Sequence, residues 1–191
     1  MAKPSRPSDP KNAVGRPRTF FVTTCAAGGR ALLQTERMAS LFIDVLRSNV
    51  RAGKFIVHDF VVMPNHVHVL LSVPGDTSIE KAMQLVKGGF SFRAKRELGF
   101  RGEIWQRGFS DVRITDELSF RKHKDYIDNN PIKSGLANSP AEFPYGSAFL
   151  KREKVAKRNL QVGRDLEVVR SREGPPSAAK AEVKPRLVRH D

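Results

Sequence analysis

One cysteine, Cys25, is all that the 191 residues contain. An intramolecular disulfide is therefore excluded, and the chain suits a reducing interior. No apolar run approaches the ~20 residues of a membrane-spanning helix. After Met1-Ala2-Lys3-Pro4 there is no apolar core of a secretory signal either. A cytoplasmic protein with no membrane partner is the expectation. Aromatic residues with a polar handle are scarce, with one tryptophan and two tyrosines. Acidic residues are also few: 20 Asp and Glu stand against 34 Lys and Arg, a net charge of +14. With 39% hydrophobic and 28% charged residues, the composition is that of a globular domain rather than a disordered chain.

The excess positive charge is unevenly placed. Residues 1–18 carry five basic residues and one acid, and residues 151–191 carry twelve and six. Those two ends hold +10 of the +14, and residues 87–113 add +4 (seven basic, three acidic). Both ends lack periodicity, so they read as a disordered basic arm (1–18) and a basic, largely disordered tail (151–191) around a folded domain at 19–150. Charge concentrated in ends and one internal band suits a phosphate backbone, and a nucleoid-associated protein. The oligomeric state, monomer or homodimer, is open.

Between the ends, the pattern alternates between periods of two and 3.6. TFFVTTC (19–25) reads as a strand, and Met38, Leu41, Phe42, Val45, Leu46 and Val50 recur as one helix face over 35–51. Two apolar runs at 55–63 and 66–73, broken by Pro64-Asn65, read as a hairpin. If Pro64-Asn65 is a two-residue turn, Val61 pairs with His68, His58 falls on the helix-packed face, and Asp59 shares the face of the other histidines. Residues 78–98 form a second amphipathic helix, which Gly88-Gly89 either breaks or marks as a close approach. Strand character returns at 104–115, and Asp116 caps a third helix that Pro131 limits near Asn129. The order β-α-β-β-α-β-α predicts an α+β, ferredoxin-like fold: an antiparallel sheet with helices on one face and the other face open, plus a C-terminal helix.

Side chains two apart share a strand face, so His66 and His68 project side by side, on the open side of the sheet. Two such imidazoles can hold one divalent cation. Residues four apart share a helix face, so Tyr126 and Asn130 reach one point, with Lys122 and Lys133 on the same side. The set offers a metal site, a third oxygen ligand and a phenol nucleophile, which suits attack on a phosphodiester. Asp59 is a candidate partner behind the histidines. The other tyrosine, Tyr145, lies in a proline-flanked loop. Lys87, Arg93, Lys95, Arg96, Arg107 and Arg113 are candidate phosphate contacts, and Trp105 a base-stacking surface.

VVMPNHVHVLL (61–71), WQRGF (105–109) and YIDNNP (126–131) together resemble the REP-associated tyrosine transposases. These are single-tyrosine transposases of the His-hydrophobic-His nuclease superfamily. The resemblance covers about residues 17–150 and leaves out the basic tail. It implies His66, His68 and Asn130 as ligands of Mg²⁺ or Mn²⁺, and Tyr126 as the nucleophile. It further implies a 5′-phosphotyrosine intermediate on single-stranded DNA, beside a hairpin-forming palindromic repeat. One departure is visible: many relatives have histidine where this chain has Ser110. Two alternatives from other classes are a domesticated, non-catalytic nucleic-acid-binding module and a hydrolase in which water attacks.

Overall fold

A computed structural model describes residues 15–158. Of the expected arm at 1–18 and tail at 151–191, residues 1–14 and 159–191 lie outside the described residues, while Arg18 already belongs to the first strand.

The sheet has four antiparallel strands: β1 (Arg18–Cys25), β2 (Ile56–Val62), β3 (His66–Val73) and β4 (Ser110–Ile114), in the order β2-β3-β1-β4. That order is the ferredoxin-like one expected from the element sequence. Alternation sorts the side chains. Phe20 and Val22 of β1 and Val67, Val69, Leu71 and Val73 of β3 enter the main core, beneath α1 (Glu36–Arg51) and α2 (Ile79–Leu98). Both helices begin where expected, capped by the hydroxyls of Thr35 and Ser78, which accept the amides of Met38 and Lys81. Gly88-Gly89 does not break α2. A Cβ at Gly89 would stand 3.5 Å from Val45 of α1, an ordinary contact, and one at Gly88 would meet nothing within 4 Å, so no close approach requires the pair.

The face expected to be open is half covered. α3 (Glu117–Lys133) lies across β2 and β3 on the side away from α1 and α2. Leu70, Val61 and Met63 form an apolar patch there, and Ile127 and Phe143 close over it. Burying Ile127 alone is worth about 2 kcal/mol. The β1–β4 half of the face is left to form a groove.

Helix α3 also runs past its expected end, because Pro131 lies inside it. Proline there removes one donor, the one that the Ile127 carbonyl would accept, and its ring crowds that carbonyl, yet the helix continues. The amides of Ser134 and Leu136 then close the helix on the carbonyls of Asn130 and Pro131. Tyr126 and Asn130 therefore keep their four-residue spacing.

The hairpin turn is as expected, with Val61 opposite His68 and the Met63 amide 2.8 Å from the His66 carbonyl. Parity nevertheless fails further along. A register shift between Val57 and Asp59 inserts His58 as an extra residue, a β-bulge that turns His58 and Asp59 to the same side. His58 was expected among the helices; instead its Nε2 lies 2.7 Å from the Ser72 hydroxyl and its ring meets Phe120 of α3. Ser72 is four residues along β3 from His68, so His58 is remote from the histidine pair.

Asp59 is on the histidine face as expected but serves another purpose. Only 1% exposed, it accepts from the Phe60 amide at 3.0 Å and from the Ser147 hydroxyl. Its other oxygen faces the ammonium groups of Lys124 (3.2 Å) and Lys151 (3.6 Å). It anchors α3 and the chain after α3 to the sheet. The expected domain boundary at 150 thus falls inside a helical stretch, 147–158, whose Lys151 reaches Asp59. Asp59→Ala should cost about 2–3 kcal/mol, less than a fully buried pair because Lys124 is partly solvated. In a thermal melt that is a drop of roughly 5–10 °C; a variant as stable as wild type would exclude the anchoring role.

Candidate active site

β3 presents His66 and His68 on one side, ring centroids 4.7 Å apart and nearly perpendicular. Each ring is oriented by its Nδ1. For His66 the partner is Asn65 Oδ1 at 2.7 Å, and an amide oxygen only accepts, so Nδ1 carries the hydrogen and Nε2 the lone pair. For His68 the partner is Thr23 Oγ1 at 2.8 Å, supplied by the neighbouring strand, where Thr23 lies directly opposite. His68 Nε2 is buried and has no hydrogen-bond partner among the described residues. An orphaned buried imidazole nitrogen beside a second imidazole fits a divalent cation.

Asn130 comes from α3, is buried, and its side chain is within hydrogen-bonding reach of His66. Among the described residues no three His, Cys, Asp or Glu side chains form a metal cluster. A cation here would thus rest on two imidazoles, the Asn130 amide and oxygen atoms brought by a substrate.

Burial, followed by repulsion from His66, lowers the His68 pKa from 6.5 to about 3, and burial lowers that of His66 as well. Both rings are therefore neutral and ready to ligate. The folded pKa lies below the unfolded one, so the unfolded chain binds the extra proton between them, and stability falls as pH drops below 6.5. For His68 the metal-free protein should lose about 2 kcal/mol between pH 7 and pH 5. Asp59, raised above 3.8 mainly by burial, acts with the opposite sign just above that value. Urea melts in chelator at the two pH values measure the loss, which His68→Gln should reduce. Equal stabilities would mean that the imidazole is not held neutral.

Tyr126 stands over this pair, 43% exposed. Its ring meets His68 edge-on at 5.1 Å and Phe21 at 5.7 Å, with the Lys133 ammonium 5.7 Å from its centroid. Phe21 stacks in turn on His68 at 5.3 Å. Beside Tyr126 runs a groove of about 410 Å³, floored by Phe21 and lined by Lys122, His123, Asn129 and Lys133. The four residues expected at the site, His66, His68, Tyr126 and Asn130, are thus brought together, with Lys122 and Lys133 at its edge.

The other candidates divide. Lys87 is engaged within the fold: its ammonium donates to the carbonyls of Gln106 and Gly108, and burial lowers its pKa. Trp105 is not a stacking surface. It is buried against Phe42 and Phe90, with its indole N–H on the Lys87 carbonyl at 3.1 Å. Lysine and indole together pin the loop before β4 to α2.

Arg93, Lys95 and Arg96 also lie on α2, across the sheet from the histidines, and the two arginines converge on Glu97. Arg113 is opposite Phe20 and so belongs to that same far face, whereas Arg107 is exposed in the loop at the His66 end of the sheet. Ser110 is opposite Thr23, the residue that orients His68.

Three residues of the site had no place in the sequence reading: Phe21, Thr23 and His123. Thr23 and Phe21 need the strand order, which no local pattern carries. His123 was within reach, since it is three residues before Tyr126 on the same helix.

The fold and the likeness to known proteins define a transposase. The model of the family described as IS200-like transposases matches residues 21–130, from Phe21 of the groove to Asn130. The chain is 27% identical over 130 residues to the REP-associated tyrosine transposase of Escherichia coli K12, covering 68% of this chain and 75% of that one. It is 29% identical over 96 residues to a REP-associated tyrosine transposase assigned in Haemophilus influenzae, but spans only 54% of its length. The solved structure of a REP-associated tyrosine transposase bound to a REP hairpin superposes with a TM-score of 0.58 and 25% identity, over 77% of this chain and 82% of that one. The chain belongs to the IS200-like transposase family.

Proposed function

We propose that this transposase nicks and rejoins single-stranded DNA through a covalent bond to Tyr126, next to a hairpin-forming repeat. The carrying observation is the Tyr126 ring against His68, whose buried Nε2 lacks a partner among the described residues. His66, His68 and Asn130 would hold Mg²⁺ or Mn²⁺, which would supply charge neutralisation at the scissile phosphate. Tyr126 is near enough to share that phosphate, and its half-exposed ring leaves an approach from the groove. Attack forms the Tyr126 Oη–P bond and breaks the P–O3′ bond, leaving a 5′-phosphotyrosine and a free 3′-OH. The ester energy is conserved in the link, so a 3′-OH can attack it and rejoin strands.

A duplex is too stiff to bend into a groove of this size, which favours an unpaired strand. The hairpin comes from the relative whose solved complex holds one. Lys122 and Lys133, at the groove, are the best-placed phosphate contacts, and Arg107 marks the path around the His66 end. No helix among the described residues is long and apolar enough to cross a membrane; a DNA substrate would place the work at the nucleoid. The test is to incubate the protein with a single-stranded oligonucleotide carrying a hairpin and flank, then denature it. A protein–DNA adduct that maps to Tyr126 is the expected result; strand cleavage without any adduct would overturn the proposal in favour of attack by water.

A further inference from the structure

A third imidazole of the groove has no part in that scheme. His123 lies one helical turn before Tyr126, and both rings line the same groove. Its Nδ1 is 2.8 Å from the Ser119 carbonyl oxygen, which only accepts, so in the neutral ring Nδ1 carries the hydrogen and Nε2 keeps the lone pair. Its ring also packs on Phe21 at 4.7 Å, which fixes its plane from the sheet side. The result is a half-buried, oriented base beside the phenol.

Nothing else at the groove serves as well. Lys122 and Lys133 are ammonium groups without a lone pair, and the lone pairs of His66 and His68 are committed to the cation. Asp125 is a carboxylate, and a carboxylate takes a proton from a phenol less readily than an imidazole does. Residues three apart on a helix have Cβ atoms about 5–6 Å apart, so contact between the two polar tips, directly or through one water, is within reach.

We infer that His123 is a further catalytic residue, the base that takes the Tyr126 hydroxyl proton as the phenol oxygen attacks phosphorus. This rests on Tyr126 being the nucleophile. In cleavage the Oη–P bond forms, the P–O3′ bond breaks, the phenol proton passes to His123 Nε2, and the leaving 3′-oxygen takes a proton from water. In rejoining, the 3′-OH attacks and loses its proton to water, the P–Oη bond breaks, and the imidazolium returns its proton to the departing phenolate. One residue thereby serves both directions.

His123→Gln is the decisive variant, because the amide keeps bulk on Phe21 without a basic nitrogen. In saturating DNA and Mg²⁺, its single-turnover cleavage should fall about 10²–10³-fold, with hairpin affinity within threefold of wild type. The acid limb of the wild-type pH–rate profile should disappear. The charged and titratable groups around His123 are Lys122, Asp125, Tyr126 and Lys133 on α3 and, behind Phe21, His68 on β3. His123→Ala should regain activity with added imidazole. An unchanged rate with the limb intact would overturn the inference, and so would a loss seen only below saturating DNA, which would make His123 a binding residue. An adduct still at Tyr126, formed at the wild-type rate, sinks only the role of His123. An adduct on any other residue sinks the nucleophile itself.

Discussion

Tyr126→Phe should bind hairpin DNA as tightly as wild type, yet lose cleavage and the covalent adduct together. The substitution removes only the hydroxyl. The ring keeps its edge contacts with Phe21 and His68 and its place beside the Lys133 ammonium. The fold should be untouched, because Tyr126 is half exposed and α3 is held by Ile127, Phe120 and the Asp59–Lys124 pair instead. Removing a covalent nucleophile costs on the order of 10⁴–10⁶-fold in rate, so the loss should reach the detection limit. Tyr145 is not a substitute. Its ring packs edge-on against Phe143 at 5.7 Å, and its carbonyl accepts the Val62 amide, which holds it beside β2. An adduct that survives in Tyr126→Phe would therefore point to a nucleophile outside this site. Cleavage that survives without an adduct would reveal attack by water.

The residues that form this site were legible to different degrees, for physical reasons. His66 and His68 follow from a strand period of two, and Tyr126 with Asn130 from a helix period near four. Those are local rules, and they held even across Pro131. The position of α3 was not legible. Only Ile127, Asn130 and Pro131 of that helix are fully buried, so its apolar face is too narrow to announce which surface it covers. His58 was misplaced because a bulge adds one residue to β2 and inverts every parity argument beyond it. Trp105 and Lys87 were read from residue type, yet a ring flanked by Phe42 and Phe90 and an ammonium between two carbonyls are consequences of packing. Thr23 belongs to the same class. It reaches His68 because β1 lies between β3 and β4, a fact of topology rather than of spacing.

Thr23 also supplies the sharpest probe of the metal proposal. Chelation should abolish cleavage and Mg²⁺ or Mn²⁺ restore it, but a contaminating nuclease could mimic that result. A binding readout is cleaner: Mn²⁺ should raise the melting temperature of the DNA-free protein. At a hundred times the dissociation constant the stabilisation is about 2.7 kcal/mol. His66→Ala should remove the shift with little damage to the fold, since His66 sits half-buried at the start of β3. Burial already holds both rings neutral, so metal binding need displace no proton and the shift should change little from pH 8 to about pH 6.5. Thr23→Val keeps the shape of the strand but takes away the group that fixes the His68 ring at Nδ1. Loss of such an orienting partner typically weakens a metal site about 10–100-fold. Mn²⁺ titrations followed by melting temperature, for wild type, His66→Ala and Thr23→Val, should therefore rank in that order: full shift, none, and a shift displaced to higher metal. A Thr23→Val curve that overlays the wild type would show that the Thr23 hydroxyl does not orient a metal ligand.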